Sequence, residues 1–162
     1  MDEITLNQAE EKLSEHLVLT LSGFLINENK RRISTSGTRL QLWVRSTPKK
    51  DAFGLCMVKA AITNTPFRIS EIVNHTEISR QSVSLMVRDW VAEGWIRVFS
   101  GQTEIKRSEI QKHNGRLGYM AEKEVVSLAM DYSKVYLANF YRSGLDDEYK
   151  KLLALKELRL HY

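Results

Sequence analysis

A single cysteine, Cys56, and four scattered histidines are almost all the soft-metal chemistry this 162-residue chain owns. One cysteine closes no internal disulfide and builds no cysteine-rich metal centre, which fits a reducing compartment. Its neighbours Phe53, Met57 and Ala60 mark Cys56 as a packing residue; redox sensing is the minor alternative. His16, His75, His113 and His161 form no His-x-x-x-His pair and have no acidic partner at ligand spacing, so no metal and no cofactor is expected. His75 ends a candidate helix, where it could donate to phosphate or have no role. Long apolar runs are also missing, each falling well short of the roughly 20 residues a bilayer demands, and the acidic N-terminus lacks a signal-peptide pattern. A cytoplasmic protein without a membrane partner is expected. There is no phosphate loop and no nucleophile elbow, which leaves nothing from which to build an enzyme.

What the chain has is 43% apolar residues, enough for a core, and an uneven charge distribution behind a net +4. Residues 1–29 carry −5, residues 30–50 carry +7 through Lys30, Arg31, Arg32, Arg39, Arg45, Lys49 and Lys50, and residues 101–120 carry +2, while 51–100 and 121–162 balance. Two basic stretches flanking a neutral centre suit phosphate groups, although solvated surface charge explains each stretch equally well.

Apolar spacing organises the chain. Leu13, Leu17, Leu21, Phe24 and Leu25 predict an amphipathic helix over 6–28, followed by a polar break over 29–37 and a short helical piece from Thr38 to Arg45 before Pro48. Asp51 is the expected N-cap of a helix to about Asn64, closed by Pro66. Two short helices follow. In them Val73 sits at the crossing, Ile78 in the turn, and Val83, Met86, Val87 and Trp90 face inward at three- and four-residue spacing. Ser70 and Ser79 are their expected N-caps, and Gly94 is the stop. Strands are expected at 95–99 and 116–120, the second preceded by an Asn114-Gly115 turn, with a long connection over 100–112. Helices close the chain at 121–142, with Val125, Leu128, Ala129, Tyr132, Val135, Tyr136 and Phe140 on one side, and at 146–160, with Tyr149, Leu152, Leu153, Leu155 and Leu158.

Two helices, a glycine stop and a strand pair outline a helix-turn-helix with a wing, within a mainly α fold carrying a small β-wing. The outward residues of the second helix, Arg80, Gln81, Ser82, Ser84, Leu85 and Arg88, are of the types that read base edges: arginine for guanine or phosphate, glutamine for adenine, serine for either, leucine for a thymine methyl. Ser79 directs a helix N-terminus toward phosphate, and Arg68 and Ser70 at the preceding helix reach the backbone. Lys106, Arg107, Lys112 and Arg116 are the basic candidates of the wing. The plain alternative is a polar-faced helical hairpin. The terminal helices carry more apolar surface than one small domain covers, which predicts pairing with a second copy, the alternative being that they fold back on their own domain.

Across roughly Asp51 to Tyr132 the chain resembles the MarR-type winged-helix transcriptional regulators. The resemblance is carried by Ile69-Ser70-Glu71-Ile72-Val73, Ile78-Ser79-Arg80-Gln81-Ser82-Val83, Glu93-Gly94-Trp95-Ile96 and Tyr119-Met120-Ala121-Glu122-Lys123. It implies a homodimer held by N- and C-terminal helices, a recognition helix from Ser79 to Glu93 in the major groove of double-stranded DNA, wing tips near the minor groove, and control of nearby promoters, often tuned by a small ligand. It divides the chain into dimerisation helices at 1–50, a DNA-binding domain at 51–120 and dimerisation helices at 121–162. Three positions depart from the family's pattern: Glu77 stands where glycine is usual, Leu85 where a basic residue is common, and the wing lacks an Asp-x-Arg pattern. Trp43, Trp90, Trp95, Tyr132 and Tyr136 are either core residues or the lining for a small aromatic or apolar effector. The competing function is a winged-helix module that docks a protein, favoured by Leu85 and the near-neutral centre.

Overall fold

Capping chemistry sets most of the element boundaries. The computed structural model describes residues 6–113, 115–142 and 144–160, without the side chains of 135–136, 138–142, 145 and 158–160. The turn residue Asn114, the stripe members Val135, Tyr136, Phe140 and Leu158, and His161 therefore lie outside the described residues or side chains. The chain is mainly helical with one small antiparallel sheet, in two compact units: residues 34–130, and residues 1–33 together with 131–162.

The 34–130 unit begins with α2 (Arg39–Arg45), where Thr38 and Gln41 exchange reciprocal side-chain to backbone bonds. α3 (Pro48–Ile62) follows at once. Thr47, not Asp51, is its N-cap, because Pro48 takes the first helical position, where its missing N–H costs nothing. The helix ends at Ile62 before Pro66 is reached. α4 (Ile69–Thr76) likewise starts earlier, by two positions, than the serine cap implied: Arg68 is the N-cap residue and its N–H donates to Glu71 Oε2 at 2.7 Å, leaving Ser70 inside the first turn. α5 (Arg80–Glu93) is capped as its sequence predicts, Ser79 Oγ accepting from Ser82 N at 3.2 Å and Gly94 stopping the helix at φ 75°.

Between α4 and α5 the chain turns at Glu77, whose φ of 57° lies in the left-handed region that glycine enters without cost. Its N–H donates to Val73 O at 2.8 Å, closing α4. Glu77 thus adopts a backbone conformation that favours glycine.

After Gly94 come β1 (Ile96–Ser100), β2 (Thr103–Ile105) and β3 (Leu117–Ala121), in the order β2-β1-β3, with Val98 opposite both Ile105 and Tyr119. The connection expected over 100–112 is therefore structured: a hairpin turns at Gly101, with φ 61°, β2 pairs back on β1, and a 3-10 turn runs over Arg107–Lys112. Phe67 adds a two-bond bridge to Tyr119 on the far edge. Gly118 lets this approach happen, since a Cβ there would stand 2.7 Å from Pro66 Cβ.

The core of this unit joins Phe53, Met57, Ile72, Val83, Trp90 and Met120, all at most 1% exposed. Every inward position assigned to α5 is buried: Val83, Met86, Val87 and Trp90, with Ile78 in the turn. Burying such side chains contributes about 1.5–3 kcal/mol each, so this face holds α5 firmly. The unit starts at residue 34 rather than 51, because Trp43 of α2 packs edge to face on Phe53 and Trp90 at 6.2 and 5.8 Å.

In the other unit α1 (Leu6–Ile33) runs through the break expected at 29. It packs on α7 (Leu145–Leu160), with Ala9 and Leu152 buried and Lys156 3.3 Å from Glu10. Leu17, Val18, Leu19, Leu21, Leu25 and Ile26 are all exposed. Three of these are consecutive, so the apolar surface of α1 is wider than the single stripe read from its spacing. α6 (Lys123–Arg142) begins in the first unit and continues into the second.

Candidate functional site

The helix α5 presents an inward and an outward face. At 100° per residue, Val83, Met86, Val87 and Trp90 fill one arc and Arg80, Gln81, Ser84, Leu85 and Arg88 fill the opposite one. The latter five line a shallow open depression on the surface. Arg80, Gln81, Leu85 and Arg88 are exposed, while Ser82 and Ser84 are half-buried.

Hydrogen bonds sort these residues further. Ser79 Oγ donates to Ser82 Oγ at 2.9 Å, and Ser84 Oγ donates to the Arg80 carbonyl at 2.9 Å. The two hydroxyls grouped as base readers, those of Ser82 and Ser84, thus serve the cap and the helix backbone, and the groups left to project from the face are Arg80, Gln81, Leu85 and Arg88. Ser70 is exposed at the start of α4, next to the exposed Arg68.

The remaining basic candidates lie on the β2–β3 connection. Lys106 precedes the 3-10 turn, Arg107 opens it, Lys112 ends it and Arg116 leads into β3; all four are exposed. Lys106, Arg107, Ser108 and Gln111 line a second open depression.

Ion pairing separates two populations of cations. Arg39 meets Glu93 at 2.6 Å, and Arg97 meets Glu104 at 2.8 Å, a contact that raises the arginine pKa and lowers that of the carboxyl. Arg68, Arg80, Arg88, Lys106, Arg107, Lys112 and Arg116 form no ion pair among the described residues. Among the described residues, Arg39 and Arg97 are thus paired with carboxylates, and the cations of the outward α5 face and of the β2–β3 connection are not.

The basic run over 30–50 is divided between the two units. Lys30, Arg31 and Arg32 belong to α1 in one unit, and the other four to the second unit. Arg31 pairs with Glu28 at 2.8 Å, Arg45 donates to the Ser36 carbonyl at 2.7 Å, and Lys50 Nζ sits 4.8 Å from the Trp43 ring centre. Much of that charge is engaged in local structure, which the linear count cannot reveal.

Of the aromatic residues considered as core or effector lining, Trp43, Trp90, Trp95 and Tyr132 have described side chains. Trp43, Trp90 and Trp95 meet one another edge to face at 5.8 to 6.3 Å, and Trp90 is fully buried, so their rings pack against each other. Tyr132 belongs to the other unit, where its hydroxyl donates to Glu28 at 2.9 Å beneath the Arg31 guanidinium. Cys56 is buried, and burial pushes its thiol from 9.0 up to about 11 against the opposing pull of Lys59. A thiol held so far into its neutral form is a poor nucleophile. His75 stacks on Phe67 at 4.9 Å.

Among the described residues no helix is long and apolar enough to cross a membrane. Compared with known proteins, the chain matches no family model, and neither a curated protein nor a solved structure is significantly similar to it.

Proposed function

We propose that the chain is a sequence-specific double-stranded-DNA-binding regulator of the winged helix-turn-helix kind, similar to the MarR-type proteins, and that it acts as a homodimer. The observation that carries this reading is the outward face of α5: Arg80 and Arg88, without an ion pair among the described residues, with Gln81 and Leu85, on a helix whose other face is locked into the core. A rigid helix presenting guanidinium and amide groups suits the major groove, whose base edges offer acceptors and donors at matching spacing. In this reading Ser79 points the α5 N-terminus at a phosphate, Arg68 grips the backbone, and Lys106, Arg107, Lys112 and Arg116 form the wing contact.

The dimer follows from α1. Exposed Leu17, Val18, Leu19, Leu21, Leu25 and Ile26 on one helix are an aqueous liability unless covered, and a helix apolar on several sides belongs in an interior. A second copy supplies that interior, and a two-fold pair would address half-sites about 34–36 Å apart.

A second reading, docking of a protein, is favoured by Leu85, which is 49% exposed in the middle of the face. Salt separates the two. Phosphate contacts release counterions, so duplex affinity in the DNA reading falls about 10³–10⁵-fold between 50 and 200 mM salt if six to ten phosphates are neutralised. An apolar protein contact is nearly insensitive to salt. A flat salt response of duplex binding, measured by fluorescence anisotropy, rejects the DNA reading.

A further inference from the structure

We infer that Leu85 reads the C5-methyl group of a thymine, so that each bound half-site carries a T·A pair beneath the middle of α5; this rests on the DNA-binding reading above. Leu85 is 49% exposed and lies among Arg80, Gln81, Ser84 and Arg88 in one depression. Of the other large apolar side chains of its helix, Val83, Met86, Val87 and Trp90 are at most 8% exposed and Val91 is half-buried against the core, so Leu85 alone stands exposed. An apolar residue on the polar arc gains nothing from the core.

The chemistry of the opposite surface narrows what Leu85 can meet. A leucine neither donates nor accepts a hydrogen bond, and it gains nothing from phosphate. Along the base edges of the major groove the thymine C5-methyl is the one apolar group, so it alone rewards an aliphatic side chain there. Helical spacing sets the neighbourhood. Gln81 lies one turn before Leu85 and Arg88 three residues after it, on the same side of the helix. The methyl reader therefore stands between a side chain suited to adenine and one suited to guanine or phosphate, and the three are placed to read neighbouring base pairs. Leucine also carries no charge, so it adds discrimination without adding affinity for arbitrary sequence.

The test replaces each thymine of a selected binding duplex by deoxyuridine, one position at a time, which deletes only the methyl group. Affinities are measured at constant salt for the wild-type protein and for Leu85→Ala, an exposed helix position at which alanine keeps the helix. The wild-type protein should lose about fourfold affinity per half-site at one symmetric thymine position, the value of one buried methyl, and Leu85→Ala should be indifferent to that same exchange. If no thymine-to-uridine exchange weakens the wild-type protein on a specifically bound duplex, the inference fails and the DNA reading stands. Equal losses in the wild type and Leu85→Ala assign the methyl to another residue. A library that yields no specific duplex overturns both.

Discussion

Trp43 Nε1 donates to Asp89 Oδ2 at 3.2 Å across a separation of 46 residues, tying α2 to the flank of α5. Trp43 also rests edge to face on Trp90 in the last turn of α5, and carries Lys50 over its ring. α2 is therefore a brace for the helix that carries the candidate site. In a double-mutant cycle of Trp43→Phe and Asp89→Ala, the coupling should be about 0.5–1 kcal/mol, as suits a hydrogen bond to a charged acceptor at a solvated position. Urea unfolding of the four proteins measures it, and zero coupling means that the indole is held by packing alone.

Glu77 stores strain in the turn between α4 and α5. With φ at 57°, a side chain at this position costs about 1 kcal/mol that glycine avoids, partly offset by the greater freedom of glycine in the unfolded chain. Glu77→Gly should raise stability by about 0.5 kcal/mol, and Glu77→Val, β-branched in the left-handed region, should lower it by about 1 kcal/mol or more. Thermal unfolding reads both. A Glu77→Gly protein less stable than wild type would show that the carboxylate makes a contact worth more than the strain.

Cys56 gives the fold a pH dependence on the alkaline side. Its folded value of about 11 lies above the unfolded value of 9.0, so its contribution is fully present below pH 9 and is lost as pH rises toward 11. Over that window the term amounts to at most about 2–3 kcal/mol. Tyr119, whose hydroxyl is also raised by burial, loses stability in the same direction above its ordinary value of 10.0. Denaturant unfolding at pH 8 and pH 10.5 should therefore show a steeper loss for wild type than for Cys56→Ala; equal losses would mean that the thiol is ionised in the folded protein.

How much of this was legible in the sequence depends on how local the deciding interaction is. The inward set Val83, Met86, Val87 and Trp90 follows from helical period alone, and Ser79 and Gly94 bound their helix because their chemistry acts on the nearest backbone groups. The starts of α3 and α4 were not legible from single caps: Thr47 competes with Asp51 and Arg68 with Ser70, and the proline at position 48 and the carboxylate of Glu71 decide between them. β2 is three residues long and has no pattern of its own; pairing with β1 and the Arg97–Glu104 contact create it. The serines of α5 look available in sequence, and only the hydrogen bonds of Ser82 and Ser84 show where their hydroxyls go.

The outward side chains of α5 and the cations of the β2–β3 connection should have separable effects. Arg80→Ala and Gln81→Ala should leave folding unchanged, since both side chains are exposed, yet relax sequence preference at about 1–3 kcal/mol per contacted base pair. Lys106→Ala or Arg107→Ala should instead weaken binding to all duplexes alike and reduce the salt slope by about 1 each. Circular dichroism confirms folding, and competition with unrelated duplexes reads preference. Normal folding with unchanged preference in Arg80→Ala and Gln81→Ala would remove α5 from base reading.

The most direct measurement is selection of bound duplexes from a randomised DNA library by the purified wild-type chain at near-physiological salt. A two-fold symmetric site with half-sites about one helical turn apart is the predicted result, since it requires both major-groove reading and a paired protein. Recovery of no sequence above background would contradict the DNA-binding account and leave protein docking through Leu85 and its neighbours as the reading of α5.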